Sequence, residues 1–223
     1  MSYQSVILLG AAAMNLYLAG FVFFRNRLSA VNFYYSLMVL CGTFWIMGLL
    51  GYSLSLDNPV NRLAFVNILY IATLLTGFYF FIFTCHFPYP TFRLPKWLTA
   101  VLYAIVFGFS FLLSVKPDFL LNFSLLDTNV EVTQMLNYLI FSIFFGAFVL
   151  AGFIVLFKKY KRSEGIHKRQ IVYVLWGTAL TYILATITNL LPSFWNSYQT
   201  YWLGPVFTLF NAFAIAYLIF RKN

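Results

Sequence analysis

Long apolar runs separated by short polar breaks organise the whole chain of 223 residues. Seven of them approach the roughly 20 apolar residues that a helix needs to cross a hydrocarbon core about 30 Å thick. They are Ser5–Phe24, Asn32–Leu54, Leu63–Phe87, Trp97–Ser114, Met135–Phe157, Ile171–Leu190 and Leu203–Phe220. Each is predicted to be a helix, because in hydrocarbon every backbone N–H and C=O needs a partner within its own segment. The breaks are Arg25-Asn26-Arg27, Asp57-Asn58-Pro59, Pro88-Tyr89-Pro90 with Pro95, Lys116-Pro117-Asp118, the basic run Lys158–Arg169 and Pro192-Ser193. No soluble domain, low-complexity linker or useful internal repeat is left over. The pattern predicts one all-α integral membrane domain over residues 1–223, a seven-transmembrane helix bundle.

Composition agrees. The chain is 62% hydrophobic and 9% charged, against about 25% charged residues in soluble domains. The net charge of +9 does not point to nucleic acid, since it sits in short breaks between apolar runs rather than on a soluble basic face. It reports orientation instead. The breaks after helices one, three and five, with the tail, hold twelve of the fourteen Lys and Arg residues and one acid, Glu164. The other side holds Arg62 and Lys116 against Asp57, Asp118, Asp127 and Glu131. One face carries +11 and the other −2, so the N-terminus is expected outside and the C-terminus in the cytoplasm. Met1-Ser2-Tyr3-Gln4 lacks the basic start of a cleaved signal peptide, so the first helix is expected to stay. Trp195, Tyr198, Tyr201 and Trp202 before the last helix, and Trp97 beside Lys96, have the character of interfacial anchors. Cys41 and Cys85 fall in or at the end of apolar runs and offer no external disulfide framework.

No Asp, Glu, Lys or Arg falls in the middle of a span. Such residues usually mark proton relays, ion sites or voltage sensors, so a proton-coupled transporter or pump is disfavoured. The seventh span has no lysine for a retinal Schiff base. His86 and His167 lie at a helix end and in the basic run, too few for a metal-dependent intramembrane enzyme. The chain is read as a non-enzyme without a cofactor.

The polar residues inside the spans are neutral and fall into stripes. Thr178, Tyr182, Thr186 and Asn189 share a face of helix six, beside the small residues Gly177, Thr181, Ala185 and Thr188, which suit close helix packing. Helix three brings Asn67, Tyr70 and Thr73, helix two Trp45, and helix five Asn137 and Tyr138. Asn211 is assigned to interhelical bonding. The expected pocket lies in the outer half, between helices two, three, five, six and seven, with Trp45, Asn67, Tyr70, Asn137, Tyr182, Thr186 and Asn189 on its wall and Arg62 and Lys116 at its rim. Equally, neutral polar groups in membrane bundles often do no more than bond between helices, for about 0.6 kcal/mol each. The segment Lys116–Gln134 carries two β-leaning runs around Asp127-Thr128, consistent with a short β-hairpin over the bundle mouth. Asn122-Phe123-Ser124 is a three-residue sequon match of little weight.

The order of landmarks resembles the seven-transmembrane N-terminal sensor region of bacterial histidine kinases over essentially the whole chain. The residues that carry the resemblance are Phe44-Trp45, Asn61-Arg62, His86-Phe87-Pro88, Gly165-Ile166-His167-Lys168-Arg169-Gln170 with Gly177, Asn189-Leu190-Leu191-Pro192, Gly204-Pro205 and the run Ala214–Arg221. A G-protein-coupled receptor fits less well: helix three has no Asp-Arg-Tyr ending and no proline follows Asn211. The resemblance implies a bacterial inner-membrane receptor of a two-component system. In that family the seventh helix continues into cytoplasmic signalling domains, often a PAS domain and then the kinase. The 223 residues hold neither a dimerisation helix with a phosphoacceptor histidine nor an ATP-binding domain, so detection is implied and kinase activity is not.

The expected function is therefore a sensor module for a small neutral or lipid-like signal, coupled to the cytoplasm through helix seven. The alternatives are a facilitator of a neutral or lipidic solute, which should show repeats, and a membrane scaffold. Expected partners are the bilayer, a small hydrophobic or amphiphilic ligand, anionic lipid along Lys158–Arg169, and a second copy in a homodimer; nucleic acid is not among them.

Overall fold

The computed structural model describes residues 3–55, 58–90, 94–116, 119, 135–191, 200 and 202–221. These form seven helices: α1 (Tyr3–Arg25), α2 (Ala30–Leu54), α3 (Pro59–His86), α4 (Lys96–Val115), α5 (Met135–Arg162), α6 (Gly165–Ala185, continued by a π turn over Thr186–Leu190) and α7 (Leu203–Arg221). There is no strand among the described residues. The expected hairpin, the sequon and the aromatic residues Trp195, Tyr198 and Tyr201 lie outside them.

Helix starts follow local chemistry. Ser29 and Asn58 cap α2 and α3 by accepting from the backbone N–H of Asn32 and Asn61, and Pro59 opens α3 where its missing N–H costs nothing. The helices outrun the apolar spans at their polar ends. The basic run is accordingly not a loop as its composition suggests: α5 continues to Arg162, α6 begins at Gly165, and only Ser163-Glu164 lie between them. Long cationic side chains tolerate a helical backbone as it leaves hydrocarbon, so loss of apolarity marks the boundary rather than the helix end. Gly165 sits at φ +57°, a left-handed conformation that glycine adopts without cost, and makes this sharp turn possible.

Six helices close into a ring. In order round it, α1 packs on α2, α2 on α3, α3 on α5, α5 on α6, α6 on α7, and α7 again on α1. α4 stands outside against α3, touching it through Tyr103 and Phe78 and touching α5 through Phe109 and Phe144. Large apolar side chains face outward all round, among them Leu16, Phe111, Trp176 and Phe210. Water would not tolerate such a surface; lipid does. Among the described residues, six helices are long and apolar enough to cross a membrane, and the seventh contributes a shorter apolar stretch, Leu203–Ile219. Trp97 is exposed beside Lys96, as an interfacial anchor requires.

Because lipid tails are as apolar as the side chains, interhelical contacts must rest on packing and hydrogen bonds. Asn32 Nδ2 donates to Val22 O at 3.0 Å and Ser36 Oγ to Ala19 O at 2.8 Å, tying α2 to α1. Tyr35, fully buried, donates across the ring to Ala212 O of α7 at 2.7 Å. At the end that carries Arg25, Lys96 and Arg162, called the basic end here, Lys159 of α5 is buried and its Nζ meets four carbonyl oxygens. They belong to Thr84, Cys85, Phe87 and Tyr89, at 2.8, 2.9, 2.8 and 2.8 Å. The last turn of a helix leaves carbonyls unpaired and partly negative, and the ammonium caps α3 from a neighbouring helix. Tyr89 extends the same knot through its hydroxyl contact with Ser163, whose Oγ donates to Lys159 O at 2.7 Å.

Candidate functional site

The ring does not close tightly at its centre. A cavity of about 140 Å³ lies there, in the half toward the start of α1 and reaching the middle of the bundle. All six ring helices supply wall, and α4 supplies none. Asn15 comes from α1, Met38, Gly42 and Trp45 from α2, and Tyr70, Thr73, Thr76 and Phe80 from α3. Tyr138, Phe141 and Phe145 come from α5, Thr181, Tyr182, Thr186 and Asn189 from α6 and its π turn, and Thr208 and Asn211 from α7. At about 30 Å³ per water molecule in the liquid, the void has room for about five.

Aromatic rings build most of this wall. Tyr70 meets Tyr138 and Phe141 edge-on, with centroids 6.0 and 5.2 Å apart. Tyr182 packs against Phe80 and Phe145 at 5.4 and 6.0 Å. Several of the polar groups are already engaged with their own or a neighbouring helix. Thr73, Thr76 and Thr208 donate to the carbonyls of Leu69, Ala72 and Pro205. Thr181 donates to Phe207 O at 3.3 Å, and Thr178 to Asn211 Oδ1 at 3.3 Å, so the α6–α7 seam is hydrogen-bonded beside the cavity. Asn189 Nδ2 lies 3.2 Å from Ala185 O and 2.8 Å from Thr188 Oγ1. Among the described residues, the lining contains no Asp, Glu, Lys, Arg or His.

Five of the seven residues expected at a pocket wall, Trp45, Tyr70, Tyr182, Thr186 and Asn189, stand together on this one. Two do not. Asn67 is buried, but on the helical turn beyond Tyr70 it faces off the arc made by Leu69, Thr73 and Thr76. Asn137 instead donates to Phe119 O at 2.7 Å, joining the start of α5 to the segment after α4. The two rim cations are not at its rim either. Arg62 is 5% exposed with its guanidinium 5.3 Å from the Tyr52 ring centroid, so an aromatic lid from α2 covers it. Lys116 is exposed but follows α4, the helix outside the ring.

Sequence reading missed α1. A lone asparagine among Ala, Met and Leu gives no stripe, yet Asn15 is 2% exposed and lines the cavity. The π turn also leaves no simple signature. Such turns are frequent at functional sites, and this one carries Thr186 and Asn189 to the wall. Asn211, expected only to join helices, does so and lines the cavity as well. Close approach at the α7 start depends on Gly204: a Cβ there would collide with Asn189 Nδ2 and come within 2.8 Å of the Trp45 ring.

A ring of helices with an apolar outer surface defines a multi-pass membrane protein. Residues 7–223 match the family described as the N-terminal 7TM region of histidine kinase, and the chain belongs to that family. It is a membrane sensor module; the family describes the membrane region of these kinases and not their kinase domain. No curated protein and no solved structure matches the chain.

Proposed function

We propose that the central cavity is the sensory site, that it takes a small neutral or amphiphilic molecule, and that occupancy is passed to the basic end through α7. The observation that carries this reading is the wall itself: six helices, α7 included, meet round a void whose described lining residues bear no formal charge. A buried ion without a partner would cost several kcal/mol, so a neutral ligand fits this wall best. α7 touches the void through Thr208, Asn211 and Ala212, and Ala212 O accepts from Tyr35 on the way to Arg221. The charge split favours the start of α1 outside and the basic end in the cytoplasm, in the cytoplasmic membrane of a bacterium.

Fluorescence of Trp45 tests the site and spin labels test the transmission. A brominated long-chain alcohol should quench Trp45 saturably in nanodiscs, measured as wild type minus Trp45→Phe, and Ala185→Phe should remove that component by filling the void. Labels at exposed Trp176 of α6 and Tyr217 of α7 should report a changed distance at saturation. Quenching that is only linear in probe refutes the site. Saturable quenching with an unchanged distance refutes transmission through α7.

A further inference from the structure

Asn15 is the polar residue that α1 brings to the wall. Its side chain is buried at 2% exposure in the middle of α1, it lines the cavity, and its Oδ1 has no hydrogen-bond partner among the described residues. An acceptor held out of water without a donor is costly, and α1 bears this cost at the edge of the central cavity. Asn32 and Ser36, the polar residues by which α2 grips α1, are spent on Val22 O and Ala19 O further toward the basic end. The hydroxyl protons of Thr73, Thr76 and Thr208 are committed to their own helices. No described donor of the wall lies within hydrogen-bond distance of Oδ1, so a donor carried into the cavity by whatever fills it would satisfy that oxygen.

Resting on the reading of the cavity as a ligand site, we infer that Asn15 is a specificity-determining residue, and that the ligand is a neutral apolar molecule bearing one hydrogen-bond donor, a hydroxyl, which pairs with Asn15 Oδ1. The terminal torsion of an asparagine is soft, so the sealed oxygen can turn toward a donor in the void. Met38, Val39, Phe141 and Phe145 give the apolar body its surface. A carboxylate is disfavoured because it supplies no donor when ionised and no cation stands among the described residues of the wall. A pure alkane fills the space and leaves Oδ1 unpaired. A site built around a polar group discriminates strongly against an analogue lacking its complement.

Two isomers separate the possibilities. 1-Octanol and heptyl methyl ether have the same atoms, and only the alcohol has a donor. A diazirine-bearing octanol is photolysed with the wild-type chain in nanodiscs, and adducts are mapped to the peptides carrying Trp45 and Tyr182. Each isomer is then added as competitor at matched membrane mole fraction. The alcohol is expected to suppress labelling at about tenfold lower concentration than the ether, and the gap should vanish in Asn15→Leu, with Asn15→Ala in its place if the leucine overpacks. Equal competition in the wild type, or a gap that survives both substitutions, overturns the role of Asn15 and leaves the cavity as a ligand site. If the photolabel never marks the cavity peptides, the site itself is refuted and this inference with it.

Discussion

Replacing Lys159 by methionine keeps the stem and removes the ammonium that meets the carbonyls of Thr84, Cys85, Phe87 and Tyr89 within 2.9 Å. Three N–H bonds serve four acceptors, so at least one is shared. Hydrogen bonds to a charged group contribute about 1.5–3 kcal/mol each, but burying the ammonium costs several kcal/mol in return. The loss on substitution is set mainly by what stays behind. Thr84 and Cys85 are buried in the last turn of α3, and an unsatisfied buried polar group costs about 1–3 kcal/mol. Phe87 is buried too, and only Tyr89 is half-exposed past the helix, where water can replace the ammonium more easily. Lys159→Met should therefore destabilise the bundle by about 3 kcal/mol, read from equilibrium unfolding in mixed micelles. Hydrogen exchange should rise in the peptide spanning the end of α3 and in that covering Ser163, because both belong to the same knot. A loss below about 0.5 kcal/mol, with exchange at the α3 end unchanged, would refute the capping role.

Other consequences are open to simpler tests. Tyr35→Phe deletes the bond from α2 to Ala212 O and should cost about 0.6–1.7 kcal/mol in the same unfolding assay. Gly204→Ala should cost about 1–3 kcal/mol by overpacking and blue- or red-shift Trp45 emission, since the new methyl meets Asn189 and the indole; unchanged emission and stability would mean that α7 does not approach so closely. Reporter fusions at Arg162 and Asn223 should read cytoplasmic and one at Asp127 external, and a reversed pattern would overturn the charge-based orientation. Anionic lipid should protect the α5–α6 turn through Lys158, Lys161, Arg162, Lys168 and Arg169, all exposed, at about 1 kcal/mol each. Lys159, turned inward, should contribute nothing to that lipid dependence.

Much of the fold was legible because the bilayer imposes a length and a polarity on every spanning helix. The seven helices lie where the apolar runs do, and Asn58-Pro59 marks the start of α3 as its cap chemistry requires. Partners were less legible. Lys159 looks in sequence like five neighbouring cations, and only the position of the α3 carbonyls across the ring makes it a cap. In the cavity, the residues found by phasing are those on helices with several polar positions, such as Tyr182, Thr186 and Asn189 on α6. Asn15 has no polar neighbour one turn away, so periodicity could not assign it a face. Asn67 and Tyr70 are three apart, a spacing that places two side chains near one another, yet the cavity arc on α3 ends between them.

Signalling by such a cavity also has an energetic requirement. Moving a two-state equilibrium from about 1:9 to 9:1 takes a roughly 80-fold differential affinity, or about 2.6 kcal/mol. Interhelical hydrogen bonds average about 0.6 kcal/mol in membrane bundles, so exchanging Thr178–Asn211 or Tyr35–Ala212 alone falls short. Filling the void does not. At about 24 cal/mol per Å³, a cavity of about 140 Å³ corresponds to about 3 kcal/mol, provided that the alternative packing of α6 and α7 closes it. On the proposed sensor reading, the size of the ligand then drives the shift, while a single hydrogen bond at Asn15 selects which molecules of that size succeed. This division predicts that an apolar molecule of matched volume, driven to saturation, elicits the full α7 displacement despite binding weakly. A saturating alkane that produced no displacement would show instead that the hydrogen bond carries the signal.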